Sequence, residues 1–134
     1  MDLSVIVVNY NTAPLLRACL DGLQQHPLRQ GRMEVWVVDN GSQDDSVATV
    51  REQFPEVHLL ANEVNRGFAA ANNQAIRLSQ GRYVLLLNPD TEVYPGTLDE
   101  MLRFMDEHPR AGAVGGQLLN PDGSVQTSCR AFPT

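Results

Sequence analysis

The chain has 134 residues, 43% of them hydrophobic, enough for one core and too few for two domains. Its 19% charged and 6% aromatic content excludes disordered and collagen-like chains. Ten cations, all arginine and scattered singly, stand against sixteen acids for a net charge of −6. With no basic run to follow a phosphate backbone, nucleic acid is not the expected partner.

Leu3 to Val8 is a near-continuous β-branched run, the pattern of a strand covered on both faces. Leu15, Leu16, Cys19, Leu20 and Leu23 then recur at helical spacing, entered through Thr12 with Pro14 in the first turn. Val35 to Val38 repeats the strand signal. Val47, Val50 and Phe54 form a short helical stripe behind Asp44, Asp45 and Ser46, residues suited to a helix start. A third strand is expected at Val57–Leu60, an alanine-rich helix at Phe68–Leu78 closed by Gly81, and a fourth strand at Tyr83–Leu87. Leu98, Met101, Leu102 and Met105 mark a last helix, stopped by Pro109. Ala113 and Val114 are read as the start of a fifth strand. Asn120 to Gly123 reads as a turn, followed by a short strand at Ser124–Thr127. This alternation implies a mostly parallel α/β sheet flanked by helices, one domain over 1–134, ending as if cut at its C-terminus.

Cys19 and Cys129 form no disulfide framework and are read as free thiols in a reducing compartment. Apolar runs fall far short of the roughly 20 residues of a spanning helix, and Asp2 follows Met1 where a secretory signal would be basic. The expectation is a cytoplasmic domain. If it belongs to a longer protein, peripheral membrane association falls to regions outside it. Uncovered sheet edges would then favour self-association into homo-oligomers.

In open α/β sheets ligands bind beyond the carboxyl ends of the strands, and there the polar residues gather. Strand one runs into Asn9-Tyr10-Asn11, strand two into Asp39-Asn40-Gly41-Ser42, strand three into Asn62 to Gly67, and strand four into Asn88-Pro89-Asp90. One such loop is ordinary turn chemistry; four in succession describe a polar rim. A carboxylate at Asp39 suits a base or sugar hydroxyl, or else is a helix-start residue for the loop that follows it. Pro89 fixes its own φ and biases Asn88 toward extended backbone. That aims Asp90 beyond the sheet edge, where a divalent ion bridging a diphosphate needs only one or two protein carboxylates; the other reading is an Asx-turn. Tyr10 either stacks on a base or packs over its loop. Arg66 is a cation offered to a ligand or a solvated surface charge, and Asn73, inside a helix, points to packing or a ligand. His26, His58 and His108 have no metal spacing and are read as structural. No G-x-G-x-x-G, P-loop or G-x-S-x-G motif is present.

In order and spacing, Ser4 to Asn11, Val37 to Ser42, Asn65 to Phe68 with Asn73, and Leu86 to Asp90 resemble the inverting glycosyltransferases of family two. Asn88-Pro89-Asp90 with Asp122 to Gln126 is most similar to the rhamnosyltransferase-like branch. The resemblance implies a GT-A (Rossmann-like) fold and a nucleotide-diphosphate sugar donor bound with Mg²⁺ or Mn²⁺. By position, Val8, Asn9 and Tyr10 would cradle the base and Asp39 would accept its imide or a ribose hydroxyl. Asn65, Arg66 and Asn73 would line the ribose and diphosphate. Asn88 and Asp90 stand where the family has Asp-x-Asp, with Asp90 the metal ligand and the first carboxylate replaced by asparagine. The resemblance further implies transfer of a sugar, with rhamnose a candidate, to a polysaccharide or lipid-linked acceptor. No residue after Asp90 resembles the family's catalytic base, so the chain reads as its donor-binding part. A nucleotide-sugar-binding module without turnover is the alternative. A nucleotidyltransferase is disfavoured because no basic glycine-rich loop follows strand one.

Overall fold

A computed structural model, which describes residues 1–126, arranges the strands as β3-β2-β1-β4, all parallel. The elements follow in order: β1 (Leu3–Asn9), α1 (Ala13–Gln25), β2 (Met33–Asp39), α2 (Ser46–Gln53), β3 (His58–Ala61), α3 (Phe68–Leu78), β4 (Tyr83–Leu86) and α4 (Thr97–Glu107). β1 is central and buried on both faces, which accounts for its unbroken apolar run.

Alternation along the strands sorts the core into two layers. Leu3, Val5, Val7 and Val37 face α1, α2 and α4, meeting Leu16, Leu20, Leu23, Val50, Phe54, Leu98 and Leu102. Ile6 and Val38, with half-buried Val8, Trp36 and Leu60, face α3, where only Ala71 and Ala75 complete the cluster. Small residues bring α3 close to the sheet. Burying each leucine of the thick layer contributes about 1.5–3 kcal/mol. The chain moves outward from β1 to β3, then crosses back on the opposite face through α3 to reach β4. Right-handed crossovers require this change of face. The order therefore reverses at β1, placing the crevice of the sheet between the loops that follow β1 and β4.

Two of the expected strands are corrected. No fifth strand forms at Ala113 and Val114, because Gly112, Gly115 and Gly116 surround two apolar residues with backbone that is costly to order. Val114 instead lines an apolar groove of about 350 Å³ between β4 and α4. The strand expected at Ser124–Thr127 reduces, within the described residues, to one antiparallel bridge between Val125 and Leu119. The predicted turn closes it, Gly123 N–H donating to the Asn120 carbonyl at 2.8 Å. Thr127 and Cys129 lie outside the described residues. Cys19 is a buried free thiol on α1. No helix among the described residues is long and apolar enough to cross a membrane.

The three histidines lie at the other end of the sheet from the polar loops. His58 starts β3 and stacks on Trp36, while His26 and His108 are the C-cap residues of α1 and α4.

Candidate donor-binding site

The loops after β1 and β2 are bound together by side chains. Asn9, fully buried at the end of β1, donates from Nδ2 to Asp39 Oδ1 at 3.0 Å. Asp39 is 1% exposed and also accepts from the Ser42 backbone N–H (2.8 Å) and hydroxyl (2.7 Å). Three of the roughly four acceptor positions of its carboxylate are thus filled from within the protein. The Ser42 hydroxyl in turn accepts from Asn11 N–H at 2.8 Å, and Asn11 Oδ1 accepts from Gln43 N–H at 2.8 Å. Asn11 holds a left-handed backbone, φ 53°, which asparagine tolerates better than most residues. That bend leaves Tyr10 49% exposed on a loop anchored at both sides.

Thr12 occupies the N-cap of α1 without capping it. Its hydroxyl donates instead to Asn9 Oδ1 at 2.6 Å. The helix is served from across the loop: Asp44 Oδ2 accepts from Ala13 N–H while its Oδ1 accepts from Ser46 N–H, both at 3.0 Å. One carboxylate so caps two helices. Burial opposes its charge, but the hydrogen bonds from Ser46 and Ala13 prevail and hold its carboxyl below the ordinary value.

The loop after β3 is locked to the same platform. Asn40, also buried, donates to the Gly67 carbonyl (3.3 Å) and accepts from Arg66 N–H (3.3 Å) and Asn62 Nδ2 (3.2 Å). Gly41, at φ +82°, lets this backbone pass so close that a Cβ would stand 3.1 Å from the Glu63 carbonyl oxygen. Asn65 Oδ1 accepts from Gly67 N–H at 2.8 Å, turning the chain into α3. Gly67 is the N-cap of that helix and offers no side-chain acceptor. The N-termini of α1 and α2 already hold a carboxylate; that of α3 does not. Its first N–H groups lack a side-chain cap, the arrangement that suits an anion. The Arg66 guanidinium beside it is exposed and makes no ion pair among the described residues.

After β4 the turn closes on itself, Thr91 N–H and hydroxyl both donating to the Asn88 carbonyl at 3.1 and 2.6 Å. The Asx-turn alternative for Asp90 is therefore not what forms. Its exposed carboxylate has no hydrogen-bond partner among the described residues. From beneath, the Cys19 thiol lies 3.9 Å from the same carbonyl. Burial first, then the negative charges of Glu92 and Asp90, push that thiol up to about 12, so it stays protonated.

The structure gathers Asn9, Tyr10, Asp39, Asn65, Arg66, Asn88 and Asp90 at the carboxyl end of the sheet, with Val8 in the layer below. Asn73 stands apart. It is exposed, a turn and a half into α3, while the buried asparagine of that helix is Asn72, whose Nδ2 donates to the Phe68 carbonyl at 3.0 Å. Sequence reasoning gave no role of their own to Asn40, Ser42, Asn62 and Gln74, and saw Asp44 only as a start for α2. Most of their partners lie 12 to 33 residues away in the chain, where no local pattern reports them. The only signal was the density of asparagine and serine after β2 and β3.

Among the described residues no group of three His, Cys, Asp or Glu side chains is placed to hold a metal ion. A protein-made cage is thus not on offer. One free carboxylate at Asp90, beside the Asn88 amide, fits a hard cation that takes most of its oxygens from a bound diphosphate and water.

A parallel sheet of order β3-β2-β1-β4, with its polar loops at the switch point, is the α/β architecture of the GT-A class. Residues 4–128 match the family model described as "Glycosyl transferase family 2". The chain belongs to that family. It is 33% identical over 143 residues to the N-acetylglucosaminyl-diphospho-decaprenol L-rhamnosyltransferase of Mycobacterium tuberculosis, aligning 98% of this chain with 46% of that protein. Among solved structures, Staphylococcus aureus TarS 1–349 in complex with UDP superposes with a TM-score of 0.73 at 28% identity, covering 81% of this chain and 33% of that one. The mannosyltransferase PcManGT from Pyrobaculum calidifontis, in complex with GDP-Man and Mn²⁺, gives 0.74 at 29% identity, covering 90% and 36%. The chain spans under half the length of each of these relatives.

Proposed function

We propose that this chain is the donor-binding part of a glycosyltransferase that takes a nucleotide-diphosphate sugar, with rhamnose the favoured sugar, for inverting transfer to a lipid-linked or polysaccharide acceptor. The observation that carries the reading is what remains free at the rim. Nearly every polar group there is committed to the protein, whereas the Tyr10 ring, the Arg66 guanidinium, the open N-terminus of α3 and the Asp90 carboxylate are not. An aromatic face, a cation, backbone donors and a metal-ligating oxygen are what a base and a diphosphate require.

The Tyr10 ring stacks on the base above the Asn9–Asp39 floor, and the remaining Asp39 lone pair takes a hydrogen from base or ribose. Arg66 and the α3 N–H groups receive phosphate oxygens, with Asn65 on the same side; Asn73, apart from the rim, is given no contact. Asp90 and Asn88 would hold Mg²⁺ or Mn²⁺, an ion that would supply charge neutralisation for the departing diphosphate. In transfer, the anomeric C–O bond to phosphate breaks as the acceptor oxygen bonds the same carbon from the opposite face. The acceptor proton passes to a base that is assigned to no residue of this chain. The rhamnosyltransferase relative supports the choice of sugar and of a lipid-linked acceptor, and the UDP and GDP-Man complexes support the donor class.

The test is thermal unfolding against a panel of nucleotide-diphosphate sugars, with and without Mn²⁺, for the wild-type chain and Asp90→Ala. A ligand at 100 times its Kd stabilises by about 2.7 kcal/mol. A Mn²⁺-dependent shift with one nucleotide, lost in Asp90→Ala, is the expected result. No shift with any donor would overturn the reading.

A further inference from the structure

We propose that Gln74 and Asn62, acting through Asn40, are positioning residues that set the Asn65–Gly67 segment for the donor's diphosphate; this rests on the donor-site reading above. None of the three is expected to touch the nucleotide.

Amide orientation links the three residues. The Gly67 carbonyl can only accept and the Arg66 N–H can only donate. Asn40, bonded to both, is therefore forced to turn Nδ2 toward Gly67 and Oδ1 toward Arg66. Its Oδ1 then needs a donor from Asn62, which supplies Nδ2 at 3.2 Å. That same Nδ2 donates its second hydrogen to Gln74 Oε1 at 2.8 Å, and Gln74 Nε2 returns a bond to Asn62 Oδ1 at 3.0 Å. The reciprocal pair leaves Asn62 one orientation.

A flipped Asn62 would set carbonyl oxygen against carbonyl oxygen at Asn40 and lose both bonds to Gln74. The relay thus runs from the middle of α3, through the end of β3 and the end of β2, to the backbone on either side of the Arg66–Gly67 peptide. The segment it holds carries the free guanidinium and the uncapped helix start. Buried Asn40 makes the transmission stiff, and Gly41 packed on Glu63 and Val64 removes the slack on its other side. A donor site tolerates little slack, because displacement of a binding group by about 1 Å can cost up to a hundredfold.

The experiment compares wild type, Gln74→Leu and Gln74→Glu by calorimetric titration with UDP, GDP and dTDP in Mn²⁺, together with amide hydrogen exchange. Gln74→Leu keeps the helix and removes both bonds. It should weaken nucleotide binding about tenfold and speed exchange of the Arg66 amide, with the β1–β2 ladder unchanged. Gln74→Glu separates positioning from mere structure. Ionised, it sets a second acceptor against Asn62 Oδ1; protonated, it donates there and rebuilds the pair. Its affinity relative to wild type should recover as pH falls through the carboxyl range, while the Gln74→Leu deficit stays constant. Equal binding by wild type and Gln74→Leu, or an unchanged Arg66 amide, would overturn the positioning role alone. If wild type binds none of the three nucleotides, the donor-site reading falls and this inference falls with it.

Discussion

The loops after β1, β2 and β3 and the loop after β4 share one rim but are held by different means. In the first group, hydrogen bonds join residues far apart in the chain: Asn9 to Asp39, Asn11 to Ser42 and Gln43, Ala13 to Asp44, Asn40 to Arg66 and Gly67. The β4 loop is closed locally, by Thr91 on the Asn88 carbonyl three residues before it. Groups proposed to recognise a base and ribose are thereby fixed before any ligand arrives. The carboxylate assigned to the metal stands free on a turn determined by its own few residues. Substitutions in the first region should therefore disturb folding and binding together. In the second they should disturb binding alone.

Asp39→Ala is the largest break. It strands the buried Asn9 amide and both Ser42 donors. The expected cost is about 3 kcal/mol or more by urea unfolding, with loss of nucleotide binding. A variant within 1 kcal/mol of wild type would show that the loops are not one unit. Ser42→Ala comes next, at about 1–2 kcal/mol, since Asp39 retains the Ser42 backbone N–H while Asn11 loses its acceptor. Nucleotide affinity should fall with it, because Tyr10 rides on the segment that Ser42 secures.

Asp44→Asn leaves one acceptor oxygen for two helix starts and should cost about 1 kcal/mol near neutral pH. The folded carboxyl lies below its ordinary value of 3.8, so its contribution is complete above that pH and disappears as pH falls through the depressed folded value. The stability gap between wild type and Asp44→Asn should accordingly narrow on acidification. A gap that is constant with pH would assign the effect to packing.

The comparison also shows what the sequence discloses. Continuous apolar runs and helical spacing reported every element of the sheet and its helices, because burial imposes them locally. Ala113 and Val114 failed as a strand because two apolar residues among glycines satisfy the pattern without the length to hold an edge. At the site, Asp39, Tyr10, Arg66 and Asp90 were legible from their place after the strands. That Asp39 is buried and largely committed, while Asp90 is free, was not. Both are aspartates behind an apolar run, and the difference lies in partners: Asn9, thirty residues before Asp39 in the chain, and Thr91, which closes the other turn without Asp90. Asn62 and Gln74 were invisible for the same reason.

The smallest expected effect is in the β4 loop and is the sharpest test of the contrast. Thr91→Val keeps the shape of the side chain and removes only the 2.6 Å hydroxyl bond to the Asn88 carbonyl. That carbonyl retains Thr91 N–H at 3.1 Å, and the site is exposed, so water replaces the hydroxyl. The loss should be about 0.5 kcal/mol, the low end for a hydrogen bond, a shift of a few degrees in Tm at most. Asp90 would nevertheless ride on a looser turn. The gain in nucleotide affinity on adding Mn²⁺ should therefore shrink several-fold, while affinity without metal stays at the wild-type value. The same two titrations on Ser42→Ala should show the reverse, a lower affinity without metal and an undiminished gain on adding it. If both variants lower both quantities alike, the rim is one mechanical unit, and the division between its stitched and its local part does not govern binding.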